Sequence, residues 1–256
     1  MTNEEFYNKV ASGEMHLSYS SICALMKSPR HFINRYTAEK NQTAAMSFGS
    51  AFHCLVLEPK EFKNRYIIEP SFNKRTKAGK EAYSEFLESI GDKLTISQGD
   101  YNTAVDMSNA IFDNSALEPL LYGEKEKQFN IEYNGVKLRG IWDVHSDFAG
   151  VTDLKTCADA NPKAFAKKAI WEFHYYLQGA IYTLENNTSF TIIAVDRNCF
   201  TSVITFSDDA IKRGLMMLAK YIENYKVLQQ ETIKGNVKVW NQGYEYWYPD
   251  GYEIDF

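Results

Sequence analysis

Apolar positions between residues 17 and 36 recur at helical spacing. Ile22, Leu25 and Met26 share a face, Ser18 is placed as an N-cap, and Pro29 opens a second helical piece through Phe32 and Tyr36. Polar residues 37–45 read as a loop. A short helix is expected over 47–57, with small residues Gly49, Ser50 and Ala51 beside Phe52, Leu55 and Val56, stopping before Pro59. Residues 70–80 are polar and basic and read as an exposed loop; helices follow over 81–90 and 98–114.

The period then changes. Residues 127–133 alternate, Asn134-Gly135 is a two-residue hairpin signal, and 136–145 alternate again. A turn at 147–150 leads into a strand over 151–156, so the three strands form an antiparallel meander. Asn161 and Pro162 open a helix as N-cap and first residue, with a break near Trp171 and Glu172 and a continuation to Leu184. Residues 190–196 and 199–206 read as strands around a tight turn, and Ser207 or Asp208 caps a helix to about Gln230. The aromatic-rich tail from Trp240 to Phe256 fits no element. This order predicts a mixed α/β (α+β) domain.

Composition narrows the class. A chain of 256 residues, 45% hydrophobic, suits a single elaborated domain over residues 1–256, with its core at about 16–230 and a tail at 231–256. The 17 Tyr and 16 Phe exclude disorder, and 14 Gly with 6 Pro exclude collagen-like and low-complexity chains. No apolar run is long enough to cross a membrane, and the first ten residues lack the apolar stretch of a signal peptide. Cys23, Cys54, Cys157 and Cys199 form no CxxC pair and read as reduced thiols, so a cytoplasmic location is expected.

The net charge of −5 excludes a basic coat protein of nucleic acid. Its distribution is uneven. Residues 15–80 hold eleven Lys or Arg and four Glu, a balance of +7, whereas 81–135 hold three Lys and eleven acids, a balance of −8. The basic block reads either as a face for an anion or as a Lys-rich solvated surface.

The densest candidate chemistry is Asp143 followed by Asp153-Leu154-Lys155. Residues two apart on a strand share a face, so Asp153 and Lys155 point one way and Leu154 the other. Asp143, on the preceding strand, can sit beside Asp153. Such a group is costly to bury unless paired or metal-bound, and a structural Asp–Lys pair is the plain alternative. His53 lies on the short helix, and Gln178 and Tyr182, four apart, share a helix face. Each also has a plain reading, as a satisfied histidine and an amphipathic stripe.

The order Gly49-x-x-x-His53, Gly140-x-x-Asp143, Asp153-x-Lys155 and Gln178-x-x-x-Tyr182 resembles the RecB-type branch of the PD-(D/E)XK nucleases. The run from Gly49 through His53 to Glu58-Pro59, and the segment from Arg75 to Lys80, resemble the RecE (exonuclease VIII) group within it. Leu17-Ser18-x-Ser20-Ser21 and Ser28-Pro29-x-x-Phe32 are similar to the start of RecB-like nuclease domains. The resemblance implies a restriction-endonuclease-like core with a central mixed sheet flanked by helices. It implies metal ligation by His53, Asp143, Asp153 and the Leu154 carbonyl, with Glu58 either completing the shell or packing beside Pro59. Lys155 would activate water and stabilise the phosphate, and Gln178 and Tyr182 would position the strand. Hard oxygen ligands suit Mg²⁺, with Mn²⁺ as a substitute. Ser28 stands where an iron–sulfur subgroup has a cysteine, so no cluster is expected; no Walker A sequence is present, so no ATP use is expected.

Arg75, Lys77 and Lys80, and Lys163 and Lys167 after the Asp153 strand, are candidates for phosphate contacts. Phe72 or another apolar side chain could wedge a duplex end. The leading expectation is a Mg²⁺-dependent exonuclease on ends of linear double-stranded DNA, working 5′→3′ to leave 3′ single strands. The resemblance also implies a RecT-like single-strand annealing partner, a phage or prophage origin and a homo-oligomer, a tetrameric ring. The alternatives are an endonuclease or structure-specific nuclease using the same site, and a non-catalytic DNA-binding scaffold.

Overall fold

The structure, a computed structural model, describes residues 1–39 and 43–249. Helix α1 spans Asn3–Ala11, α2 Tyr19–Lys27, α3 Pro29–Thr37, α4 Ala44–Leu57 and the short α5 Phe62–Arg65. A small unit follows: β1 Tyr66–Glu69, α6 Lys77–Ser89 and β2 Leu94–Ser97, with β1 parallel to β2. Next come α7 Gln98–Phe112, α8 Glu118–Leu121, then β3 Glu124–Tyr133, β4 Val136–Ser146 and β5 Gly150–Cys157. Helices α9 Pro162–Trp171 and α10 Tyr175–Tyr182 lead to β6 Phe190–Asp196, β7 Thr201–Thr205 and the long α11 Asp208–Ile233.

The main sheet has the order β3-β4-β5-β6-β7, antiparallel except where β6 runs parallel to β5. Every residue of β6 is buried, as expected for a central strand covered on both faces. One face packs on α1, α2, α3, α9, α10 and α11 through residues such as Phe6, Leu25, Phe32, Phe165, Leu177 and Tyr225. The other packs on α4, α7 and α8, where Phe52, Met107 and Leu121 meet Val144, Leu154, Ile193 and Val195. A third cluster, with Cys54, Phe62, Tyr66 and Ile96, ties the β1–β2 unit to the back of α4. The mixed sheet between helical layers is the fold the pattern predicts.

Local signals explain most elements. Ser18 caps α2 and Ser28 caps α3, with Pro29 at the first position. The Asn134-Gly135 turn has φ of 49° and 77°, as a tight hairpin requires. The left-handed His174 (φ 52°) marks the break between α9 and α10. Cα positions are also tightly constrained at Gly140: a Cβ there would lie 2.4 Å from the Phe129 ring, which packs beneath it on the neighbouring strand.

Several expectations are corrected. Residues 1–11 contain a helix held by a capping box between Thr2 and Glu5, and strands β1 and β2 were not foreseen. Helix α4 starts at Ala44, inside the expected loop. Lys77 and Lys80 are not in a loop: Thr76 caps α6, and both lie in its first turn. Phe72 is not free to wedge a duplex, since its ring packs against Tyr83 and Phe86. The four cysteines are unpaired. In the tail, Trp240 is fully buried against Phe6 and Phe32 and donates to the Thr232 hydroxyl at 2.8 Å; residues 250–256 lie outside the described residues.

Candidate active site

The centre forms where β4 and β5 part. Their ladder pairs only Val144, His145 and Ser146 with Thr152, Val151 and Gly150. One step further, in place of continued pairing, the Asp143 carboxylate accepts the Leu154 N–H at 2.7 Å. A side chain thus replaces a backbone acceptor, and the separated strands leave Asp143 and Asp153 beside an open cavity of about 1050 Å³. Leu154 points the other way and is fully buried with Val144 and Ile193.

Asp153 is almost completely buried and forms an ion pair with Lys155 at 2.5 Å. Gln178, from α10, donates to the other Asp153 oxygen at 2.6 Å. Burial, and secondarily the nearby Asp143 charge, push the Asp153 carboxyl up to about 6, against the pull of Lys155. Burial by itself would lower Lys155, but Asp153, the Tyr175 hydroxyl and Asp143 hold its ammonium above the usual lysine range. The Lys155 ammonium stands over the face of the Tyr175 ring, 5.1 Å from its centroid, a cation–π contact that adds to the hold of Asp153. Tyr182, one turn beyond Gln178, lines the cavity, and its hydroxyl is raised by burial and by Asp153.

His53 projects from α4, where Gly49 faces Thr156 of β5. Its Nδ1 stands 3.5 Å from the Asp143 carboxylate. Glu126 of β3 completes the group: ligand atoms of His53, Glu126 and Asp143 lie within 4.8 Å of one another. Glu126 has a left-handed backbone (φ 51°), an uncommon state for a non-glycine residue and one that concentrates at functional sites. Burial first, then Asp143, raise its carboxyl above the usual glutamate range. Two facing acids, one already carrying an elevated carboxyl, are expensive without a cation between them. The hard oxygen and imidazole donors fit a divalent ion of the Mg²⁺ or Mn²⁺ type.

Sequence reasoning missed Glu126, although a signal existed. A two-residue turn at Asn134-Gly135 pairs Tyr133 with Val136, and the same register places residue 126 opposite Asp143. Alternation in the sequence begins at Lys127, whereas β3 begins at Glu124 and so includes Glu126. Tyr175 was missed as the partner of Lys155. Glu58 lines the cavity but is not gathered into the cluster: Arg65 holds both its oxygens, at 2.6 and 2.9 Å. Arg75, Lys77, Lys80, Lys163 and Lys167 are exposed and do not line the cavity, and Lys77 faces Glu81 at 3.8 Å.

Among comparisons with known proteins, no curated protein matches. A candidate exonuclease from Eubacterium rectale shares the fold, with a TM-score of 0.62 and 16% identity over 93% of this chain and 88% of that one. SSO0001 aligns over 75% of this chain and 80% of that one at 11% identity, with a TM-score of 0.29. The model of a PDDEXK-like domain of unknown function, DUF3799, matches residues 18–236, which include every residue of the centre just described. The chain belongs to this PDDEXK-like family, and through it to the PD-(D/E)XK nuclease superfamily.

Proposed function

We propose that the protein is a divalent-metal-dependent deoxyribonuclease that digests linear double-stranded DNA from its ends. One observation carries the reading: His53, Glu126 and Asp143 converge within 4.8 Å on an open cavity whose adjoining wall is the Asp153–Lys155 pair. A structural ion pair alone needs neither the open cavity nor the two additional acids.

His53, Glu126, Asp143, Asp153 and the Leu154 carbonyl would hold the metal. A divalent cation there supplies Lewis-acid stabilisation of charge building on the phosphate and eases deprotonation of the attacking water. The remaining steps belong to the chain. Lys155, kept protonated by Asp153 and steadied by the Tyr175 ring, offers a fixed positive charge to a non-bridging phosphate oxygen. Gln178 holds the Asp153 carboxylate in one orientation, so that its second oxygen faces Lys155. Tyr182 borders the cavity beside Gly140 and can pack against the sugar of the strand being cut.

The finer assignments rest on the sequence motifs. The RecE-like run from Gly49 to Pro59 supports 5′→3′ action that leaves 3′ single strands, use of Mg²⁺ with Mn²⁺ as substitute, and a role with a RecT-like annealing protein in phage or prophage recombination. A tetrameric ring would place the basic faces of an acidic chain around a shared channel. Arg75, Lys77, Lys80, Lys163 and Lys167 would then touch flanking duplex.

The test is digestion of linear duplex labelled at each strand end in turn, against the same duplex as a covalently closed circle, with Mg²⁺, Mn²⁺ or chelator. Loss of label from 5′ ends of the linear form, dependent on metal, is expected. Equal cutting of the closed circle would replace the reading with an endonuclease, and binding without cutting would leave a DNA-binding scaffold.

A further inference from the structure

Beside the metal cavity lies a second one, of about 420 Å³, and the two share Ser18 and Arg139. Arg35, Tyr36 and Ser21 also line it. Arg139 sits exposed on β4 four residues before the buried Asp143, and both line the metal cavity. Between them is Ile141; opposite, on β3, stand Gln128 and Asn130. The hairpin therefore presents a hydrogen-bonding track that starts at the acidic centre and ends in a guanidinium.

The position of Arg139 is built. Leu17 forms a parallel bridge with β4: its N–H donates to the Lys137 carbonyl and its carbonyl accepts from the Arg139 N–H, both at 2.8 Å. This bridge pins the start of α2 against the strand and brings Ser18 alongside Arg139. From α3, Arg35 donates to the Ser20 hydroxyl at 2.6 Å, which aims its guanidinium into the same corner. Burial raises the Tyr36 hydroxyl, and both arginines pull it back, as expected if they face a common space.

Neither arginine has a carboxylate partner among the described residues, and no acid lines the second cavity. Two other arginines are held by carboxylates, Arg65 by Glu58 and Arg197 by Asp100, whereas Arg139 and Arg35 share a cavity with no acid in its lining. Two like charges left together, with hydroxyls around them, form a site for a doubly or singly charged oxyanion.

We propose that Arg139 and Arg35 form a phosphate subsite for the strand that enters the metal centre. This rests on the nuclease reading only for the identity of the centre beside it. Four residues of strand span about 13 Å, so the phosphate held here lies a few nucleotides from the scissile one. The subsite acts as a register clamp: it fixes the strand without reading bases, and the polar track on β3 and β4 carries the intervening nucleotides. A backbone phosphodiester and a terminal 5′-phosphate share the needed chemistry.

The experiment measures binding of a short duplex to the full chain in Ca²⁺ or chelator, by fluorescence anisotropy across a salt series, for wild type, Arg139→Ala, Arg35→Ala and the double variant. Both side chains are solvent-facing, and a thermal melt checks that the variants fold. Each substitution is expected to weaken binding about tenfold and to reduce the salt slope by about one; the double should reduce it by about two. Arg139→Lys should restore the slope while leaving part of the affinity loss, because lysine keeps the charge but not the fork. Loss confined to 5′-phosphorylated duplex assigns the subsite to the terminal phosphate; equal loss with a 5′-hydroxyl assigns it to the backbone. Unchanged affinity and slope in the double variant, or no binding by wild type, overturns the subsite. Normal arginine dependence without cutting in Mg²⁺ or Mn²⁺ overturns the nuclease reading alone.

Discussion

Replacing Glu126 by Gln separates a metal ligand from a structural acid, because the two roles predict opposite signs. The Glu126 and Asp143 ligand oxygens lie within 4.8 Å. Two full charges at that separation repel by about 3.5 kcal/mol at an effective dielectric of about 20 and by about 1 kcal/mol in water. Glu126 is half-buried and sheds part of the cost through its raised carboxyl, so the lower figure governs. Removing its charge should stabilise the metal-free chain by about 1 kcal/mol, a rise of about 2–4 °C in Tm. The backbone strain is unaltered, since Gln inherits the same φ. In Mn²⁺ the order reverses: each tenfold loss of affinity removes about 1.4 kcal/mol of metal-dependent stabilisation at saturating ion. Differential scanning fluorimetry with chelator and with Mn²⁺, beside a cleavage assay, reads all three quantities. A variant that melts lower without metal, yet keeps the full metal-induced rise and the cleavage rate, would show that Glu126 braces the hairpin instead.

Further outcomes follow from the same geometry. Asp153→Asn and Lys155→Ala should each reduce metal-dependent digestion at least about a hundredfold with unchanged far-ultraviolet circular dichroism, and retained activity in either would refute the assigned roles. Because Asp153 is raised from 3.8 to about 6, the metal-free fold binds its proton more tightly than the unfolded chain does. That group's contribution is greatest below about 3.8 and is lost as pH rises to about 6, so the Mn²⁺-induced rise in Tm should grow across the same window. A metal-induced rise that is flat with pH would count against ligation by Asp153. Gly140→Ala should cost about 1–3 kcal/mol, read as a lower Tm, because its Cβ collides with the Phe129 ring; an unchanged Tm would show that the ring simply moves. Arg75→Ala with Lys77→Ala should flatten the salt dependence of duplex binding, and an unchanged slope would remove the α6 end from the DNA path.

The legible parts of the molecule are those whose cause is local. Ser18, Ser28-Pro29 and Asn161-Pro162 declare helix starts because a cap hydroxyl or amide and a proline act within one turn. Alternation on both sides of Asn134-Gly135 declares the hairpin. The β1–β2 pair was hidden because each strand has four residues, too few to show a period, and they pair across α6. The tail was hidden for another reason: Trp240 finds its place only against Phe6 and Phe32, rings supplied by helices more than two hundred residues earlier.

The same division runs through the active site. The sequence by itself determined that Asp153 and Lys155 share a face, that Leu154 opposes them, and that Asp143 lies on the adjoining strand; strand geometry admits no other arrangement. Tertiary structure decided the rest. It parted β4 from β5 so that Asp143 could accept the Leu154 N–H, and it turned Glu126, rather than Glu58, toward the cluster. It also carried Arg139 and Arg35 into one unpaired corner through a single bridge at Leu17. Spacing along a chain determines which side chains can be neighbours within one element. Which charges meet, and which are left without a partner, depends on how the elements pack, and that is where the chemistry of this protein is set.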